Sequence, residues 1–408
     1  MQSSDSQQVF WLKGSLGSGK TTISYTVAKL ASEHNLLGAN FFFSRFDESL
    51  RDPRLLFPTI AFHLAQGHPT LRLAIAEAVS ADADITHRQP AVQFDALIRQ
   101  TMSTLTGASR PMIFVFDALD EFEDGIGSFQ DIMQLFIHRL AELSSNIRIF
   151  VTSRPEPYIG RLMRLRSSIG LKVHDLDVDP ESQRDMWTYL RHELLLIPQR
   201  LGLEEDYDAD WFSDVDLQEL VRKSGTCFVY AATVLRFIGD PIACDPRQQL
   251  DLILRHQFMS DSHPYSNVDK LYLFVLQRAY PEGTSEDKLD KLRSVFALTG
   301  IIKALYSTQM IAHFASCEKR DVNNAVHNLS ALFSLSYGHC QLHHQDSMRD
   351  FLTSRIRCRD GRFLWIRTNT RFDSHFSVYR QWSTAVRSIP VTLSTSISSI
   401  PMQSLLVL

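Results

Sequence analysis

Short apolar runs alternate with longer stretches of helical spacing over the first 178 residues. Val9–Lys13, Ala39–Phe43, Met112–Phe116, Ile147–Thr152 and Lys172–Leu176 are predicted strands. The middle three are almost wholly apolar, as parallel strands buried on both faces must be. Between the strands, Thr21–His34, Leu56–Gln66, Thr70–Ser80, Val92–Thr104 and Phe129–Leu143 carry apolar residues three and four apart. Strand and helix in strict alternation predict an α/β fold with a doubly wound parallel sheet.

The pattern changes after Asp179-Pro180. Pro180–Leu196, Asp214–Lys223 and Cys227–Ile238 have helical spacing, and Asp240–Pro246 breaks it. Helices are then predicted over Val268–Tyr280, Lys288–Gly300, Ser307–Ala315 and Val322–Leu332. Two short strands follow, Phe333–Tyr337 and Cys340–His343, joined at Tyr337-Gly338-His339. Helices ending in a small hairpin predict a winged-helix-like unit. Residues 359–408 are poor in acidic residues and rich in Ser and Thr, so they are expected to be a disordered or atypical tail. The expected units are 1–178, 179–262, 263–358 and 359–408.

Composition excludes several classes. Of 408 residues, 44% are apolar and 22% charged, with a formal net charge of -4. That balance carries no electrostatic footprint for nucleic acid. No apolar run is long enough to span a bilayer, and the N-terminus lacks the charged and apolar regions of a signal peptide. Cys227, Cys244, Cys317, Cys340 and Cys358 are scattered with no metal-ligand spacing, as free thiols in a reducing compartment are. A cytoplasmic protein binding neither nucleic acid nor membrane is expected.

The candidate chemistry begins at Gly14-Ser15-Leu16-Gly17-Ser18-Gly19-Lys20-Thr21, which fits the phosphate-loop pattern G-x-x-x-x-G-K-[ST] at each fixed position. Gly14, Gly17 and Gly19 are expected to take positive φ, so that successive amides, Ser15 and Ser18 among them, turn inward on a phosphate. The N-terminus of the following helix adds its partial positive charge. Lys20 would meet the β- and γ-phosphates, the Thr21 hydroxyl would ligate Mg²⁺, and Thr22 would reach the α-phosphate.

A second Mg²⁺ ligand is expected at an adjacent strand end, and Asp117 ends the apolar run Met112–Phe116. Asp120 and Glu121 follow; they either orient and deprotonate an attacking water or cap the next element. Arg154, after the strand ending in Thr152-Ser153, either touches the γ-phosphate or is a solvated loop arginine. Arg45, after Ser44, is a weaker candidate of the same kind. The guanine-reading run N-K-x-D is absent from the sequence, so ATP and ADP are the expected nucleotides. His63, His68 and His87 are scattered and form no ligand set.

The set GSLGSGKTT, ANFFFSR, MIFVFDALDE and IFVTSRPEP resembles the NACHT domains of fungal signal-transduction P-loop NTPases, the STAND class. Asp117, Asp120 and Glu121 fit the family's hhhhD-x-x-D-E. The segment Ser224–Ile238 is similar to a family helix that reads S-A-G-L-F-I-Y-A-A-T, and His343–Leu352 to one that reads H-x-S-F-R-D-F-L. The resemblance implies a slow ATPase in which ADP holds a closed, inactive form. Exchange for ATP opens it and drives homo-oligomerisation or assembly with related signalling proteins. Two departures stand on the closing side. Gln345 occupies the position of the family histidine that touches the ADP phosphates, leaving His344 one residue early, either as a weaker candidate for that role or as a surface hairpin histidine. Thr226 replaces a glycine, with Gly225 displaced by one. Effector and repeat modules of the family have no counterpart in the sequence: a complete chain would be a bare switch core, whereas in an incomplete one their absence says nothing. The alternative is a degenerate interaction module that binds nucleotide without useful hydrolysis.

Overall fold

The computed structural model describes residues 7–45, 50, 52–105, 111–122, 129–140, 143–144, 146–164, 170–208, 210–256, 266–301 and 306–364. Five strands, β1 (Val9–Lys13), β2 (Leu37–Phe42), β3 (Met112–Asp117), β4 (Ile147–Ser153) and β5 (Leu171–Asp175), form a parallel sheet in the order β2-β3-β4-β1-β5. With a phosphate loop leading from β1 into a helix, this is the α/β fold of P-loop NTPases. The order puts β1 between β4 and β5, with Lys13 in register with both Ser153 and Asp175. The loops after β1, β3, β4 and β5 therefore emerge along one edge, where open α/β sheets place their ligands.

Helix α1 (Lys20–Glu33) packs on this sheet through Ser24, Ala28 and Ala31, a small-residue stripe that brings helix and sheet close. Helices α2 (Leu56–Gly67), α3 (Pro69–Ala81), α4 (90–102), α5 (129–139) and α6 (Pro157–Arg164) complete the layers. Their apolar faces join Val9, Trp11, Phe41, Phe114, Phe116 and Val151 in the first of two buried clusters.

The second cluster covers the rest of the described chain. Helix α7 (Pro180–Leu201) opens with Asp179 accepting from the Glu181 amide and Pro180 in its first turn. Helix α8 (Asp214–Ser224) opens on a reciprocal capping box between Ser213 and Asp216. Helix α9 (Phe228–Ile238) is apolar nearly all round, and eight of its residues are buried. That pattern requires a central position. Helices α10 (Pro246–Arg255), α11 (Ser266–Ala279) and α12 (Glu286–Ile301) surround it. Strand β6 (Tyr306–Ser307), helices α13 (Thr308–Phe314) and α14 (Lys319–Asn328), and the hairpin β7 (Phe333–Ser336) and β8 (His339–Leu342) have a winged-helix-like order. Helix α15 (Gln345–Thr353) closes the described fold.

Several elements differ from expectation, among them helix α6, which no predicted helix covers, and strand β6, which no predicted strand covers. Helix α10 lies directly behind the breaker Asp240–Pro246, because Asp245 caps it and Pro246 occupies its first turn. No predicted helix covers α15, although Ser347, Met348, Phe351 and Leu352 lie on one face of it and are buried. The expected tail begins too early: Phe363 is buried in the second cluster and Arg362 pairs with Asp360. Residues 365–408 of that expected tail lie outside the described residues. Among the described residues, the five cysteines are free and no helix is long and apolar enough to cross a membrane.

The second cluster is pinned by a buried cation. Lys223 on α8 donates to the carbonyls of Ile253, Leu254 and His256 at 2.8, 2.8 and 3.0 Å. These are the carbonyls that the C-terminus of α10 leaves without helical partners. Lys223→Met is expected to cost about 2–3 kcal/mol by orphaning them, given the penalty for unsatisfied buried groups. Urea denaturation checks this: the midpoint should fall while the slope is unchanged.

Candidate nucleotide-binding site

The site is built from loop ends on one sheet edge. Gly17 and Gly19 take φ of +77° and +89° as expected. Gly14 does not take positive φ, and its requirement is steric: a Cβ there would stand 2.6 Å from the Ser18 hydroxyl and 3.1 Å from the Leu176 Cβ. Gly17 meets both demands. A Cβ on it would lie 2.8 Å from Val229 and 2.9 Å from the Cys227 sulfur.

Gly19 is the N-cap of α1 and offers no side-chain bond to its first amides, and the first turn carries no acidic residue. Such a helix start is a ready anion site. Lys20 turns back on the loop, donating to the Gly14 and Ser15 carbonyls at 2.8 Å each, with the Ser18 hydroxyl at 3.5 Å. Burial lowers its ammonium pKa, offset by the charges of Asp120, Asp117 and Asp177 and reinforced by that of Arg154. The groups predicted far apart in sequence thus share one electrostatic environment. Thr22, like Thr21, is exposed in the first turn of α1.

Asp117 is 2% exposed, and its carboxylate is met by three hydroxyls. It accepts from the hydroxyls of Thr21 at 2.7 Å, Ser24 at 2.6 Å and Thr152 at 2.6 Å. Thr152 in turn accepts from the amide of Ala118, which sits in the left-handed region at φ +56°. Hydroxyl and carboxylate oxygens side by side are the hard donor set that Mg²⁺ takes, so Thr21 and Asp117 fit that ion.

Asp120 and Arg154 are paired with each other. The Asp120 carboxylate accepts from the Arg154 amide at 2.9 Å and lies 3.1 Å from its Nε. The same guanidinium reaches Asp350 on α15 at 3.4 Å. Of the two readings of Arg154, the solvated loop arginine is excluded, since its side chain is 14% exposed. Glu121 accepts from the Arg45 amide at 3.3 Å. Burial, reinforced by the charge of Asp346, pushes its carboxyl up to about 7 against the opposing pull of Arg45.

The annex closes over the loop. The Phe228 amide donates to the Gly17 carbonyl at 2.7 Å, and Cys227 Sγ lies 3.6 Å from the Leu16 carbonyl. Desolvation pushes that thiol up to about 11, so it stays protonated at neutral pH. His344 is not a surface histidine. Its Nε2 accepts from Arg236 of α9 at 3.0 Å, and burial pushes its pKa down to about 3. Gln345 donates to the Thr299 carbonyl at 3.1 Å.

Sequence reasoning missed Ser24, Asp177, Asp346 and Asp350, and assigned Thr152 no part. A signal existed for two of them. Ser24 lies three residues beyond Thr21, on the same helix face. Asp177 follows the strand paired to the loop's own strand. Asp346 and Asp350 reach the site by tertiary folding alone.

The fold and site define a P-loop nucleotide-binding protein. Residues 1–154 match a family model described as the N-terminal region of nephrocystin 3. Among solved structures, the chain is similar to a STAND protein (signal transduction ATPase with numerous domains) with a tetratricopeptide repeat sensor, from Pyrococcus horikoshii. Identity is 11%, with 94% of this chain and 44% of that one covered at a TM-score of 0.46, so the chain spans under half of that protein's length. It is also similar to a chain of Drosophila ORC bound to DNA, at 13% identity over 85% of this chain and 86% of that one, with a TM-score of 0.38. No curated protein matches the sequence.

The raised Glu121 carboxyl has a stability consequence. The folded protein holds a proton there that the unfolded chain releases near pH 4.5, so this group's contribution falls as pH rises from about 4.5 to about 7. Glu121→Gln should therefore leave stability unchanged at pH 4 and raise it on the order of 2 kcal/mol at pH 8. Urea titrations at the two pH values measure the difference.

Proposed function

We propose that this chain is a regulatory ATPase of the STAND class, binding ATP or ADP with Mg²⁺ and acting through conformation and oligomeric state. Its setting is signalling of the innate-immunity or cell-death-like kind that the NACHT resemblance implies. The working units are the NTPase domain 1–178, a helical annex 179–262 and a winged-helix-like unit that begins at 263 and includes the packed residues up to Phe363. The observation that carries the reading is the Arg154 bridge. One guanidinium at the sheet edge joins Asp120 beside the phosphate loop to Asp350 on the last described helix. A γ-phosphate is the anion that would compete for that guanidinium, and winning it would cut the tie to α15.

Roles follow from placement. The loop amides of Gly14, Ser15, Gly17, Ser18 and Gly19, with Lys20, Thr21 and Thr22, hold the phosphates. Thr21 and Asp117 hold Mg²⁺, which when bound neutralises charge on the phosphate oxygens. Glu121, with a carboxyl near 7, is tuned to take a proton from water at physiological pH. Asp120 positions Arg154. Turnover is slow, because Lys20 and Arg154 must first leave partners they already hold.

A second reading, a degenerate interaction module that binds nucleotide without useful hydrolysis, is favoured by that same engagement of Asp120 and Arg154. Phosphate release separates them: steady release abolished by Glu121→Gln supports the ATPase, and none in the wild type supports the module.

Labelled-ATP binding by wild type and Lys20→Ala tests the reading directly. The variant is expected to lose at least tenfold in affinity, the worth of about 1.4 kcal/mol, and equal binding would overturn the proposal. Asp350→Ala should release ADP faster and move the protein toward larger assemblies by light scattering.

A further inference from the structure

The phosphate loop makes few bonds to the sheet that carries it. The Gly14 amide reaches the Ser153 carbonyl at 3.3 Å, and Ser18 and Lys20 bond back to the loop itself. The exception is Ser15. Its amide donates to both carboxylate oxygens of Asp177, at 3.0 and 2.9 Å, and its hydroxyl donates to Oδ2 at 2.8 Å. Asp177 is itself held in place: its amide donates to Asp175, and Asp175 pairs with Lys13 at 2.6 Å. Lys13 ends the strand that leads into the loop, so the chain of contacts forms a closed ring.

Ser15 is the residue on which the rest of the loop leans. Its carbonyl accepts from Lys20 Nζ, from the Ser18 amide and from the Ser18 hydroxyl. Fixing the Ser15 amide therefore fixes the carbonyl that parks Lys20. Asp177 takes a third donor from outside the NTPase sheet: the Thr226 hydroxyl reaches it at 3.3 Å. Thr226 stands two residues before Phe228, whose amide is bonded to Gly17 at the other end of the loop. Gly225 precedes it at φ +54°, a conformation that lets the chain turn its threonine toward the carboxylate.

We propose that Asp177 is a positioning residue that couples the geometry of the phosphate loop to the docking of the annex, through Ser15 on one side and Thr226 on the other. Its carboxylate bonds to an amide and two hydroxyls, and charge-assisted bonds of this kind are about twice as strong as neutral ones. Asp177 also adds negative charge near Lys20, which opposes the lowering of its ammonium pKa by burial. A phosphate drawing Lys20 off the Ser15 carbonyl would loosen the Ser15 unit, and that loosening would be felt at Thr226. The consequence for nucleotide control rests on the function proposed above; the coupling itself does not.

Amide hydrogen exchange on the full-length, nucleotide-free protein tests the coupling. Asp177→Ala should raise exchange at least tenfold in both segments, 14–20 and 225–231, while the remaining core is unchanged. Asp177→Asn, which keeps an acceptor for Ser15, should restore most of the protection. Faster exchange in 14–20 alone, or in neither segment, would overturn the proposal. Should Asp177→Ala unfold the protein, Thr226→Val decides: it must raise exchange in 14–20 as well as in 225–231, and an unchanged loop overturns the coupling. ADP affinity measured alongside is expected to fall about tenfold in Asp177→Ala and to recover in Asp177→Asn. If wild type binds no nucleotide yet the two segments respond together, the proposed function fails and the coupling stands.

Discussion

A carboxylate can be buried at a sheet edge only if its oxygens are satisfied, and Asp117 meets that condition with three hydroxyls. Each comes from a different place in the architecture: Thr21 from the end of the phosphate loop, Ser24 from the next turn of α1, Thr152 from the end of β4. The bonds define where α1 lies against β3 and β4, and so where the loop begins its turn. Thr152 passes the constraint on, because it also accepts the Ala118 amide and so holds the turn that presents Asp120 and Glu121. The strand order adds the remaining partners. With β1 between β4 and β5, the loops bearing Arg154 and Asp177 flank the phosphate loop on either side.

Two layers close on this edge, and they use different chemistry. The α9 layer is held by backbone and small contacts, where Phe228, Cys227 and Val229 lie against Gly17. Only a residue without Cβ permits that approach, so one glycine serves the loop's turn and the annex's seat together. The α15 layer is electrostatic. Asp350 meets Arg154, while Asp346 faces Glu121 with a charge of the same sign. Attraction at one pair and repulsion at the other act on the same helix, whose opposite face is buried through Met348, Phe351 and Leu352.

Most of the sheet and the phosphate side of the site were legible in the residues. The five strands have a strong apolar signature, and the loop motif specifies its glycines by steric need. Helix α10 was hidden because Pro246 is both a breaker and a good first-turn residue, and only the Asp245 cap distinguishes the two. Helix α15 was hidden because its buried positions, Ser347, Met348, Phe351 and Leu352, include a serine held by Tyr272. The missed site residues share one property. Asp177, Asp346 and Asp350 are ordinary surface-type acids in the sequence, and only the path of the chain brings them to the loop. Gly14 was legible as a necessary glycine, yet for the wrong reason: space, not φ.

The side of the site formed by α9 and α15 is secured by internal bonds. Gln345 donates its amide to the Thr299 carbonyl and so secures α15 to α12. His344 faces Arg236, a group that can only donate, so its Nε2 must be the unprotonated acceptor and the imidazole must be neutral. Burial enforces that state by holding its pKa near 3. Arg236 belongs to α9, whose first turn rests on Gly17. One rigid helix therefore touches the phosphate loop at its start and the hairpin end of the winged-helix-like segment near its finish. Thr226 adds the hydroxyl that reaches Asp177. The elements packed against the phosphate loop are therefore held there by bonds between the chain's own residues, each with a donor and an acceptor supplied by the fold.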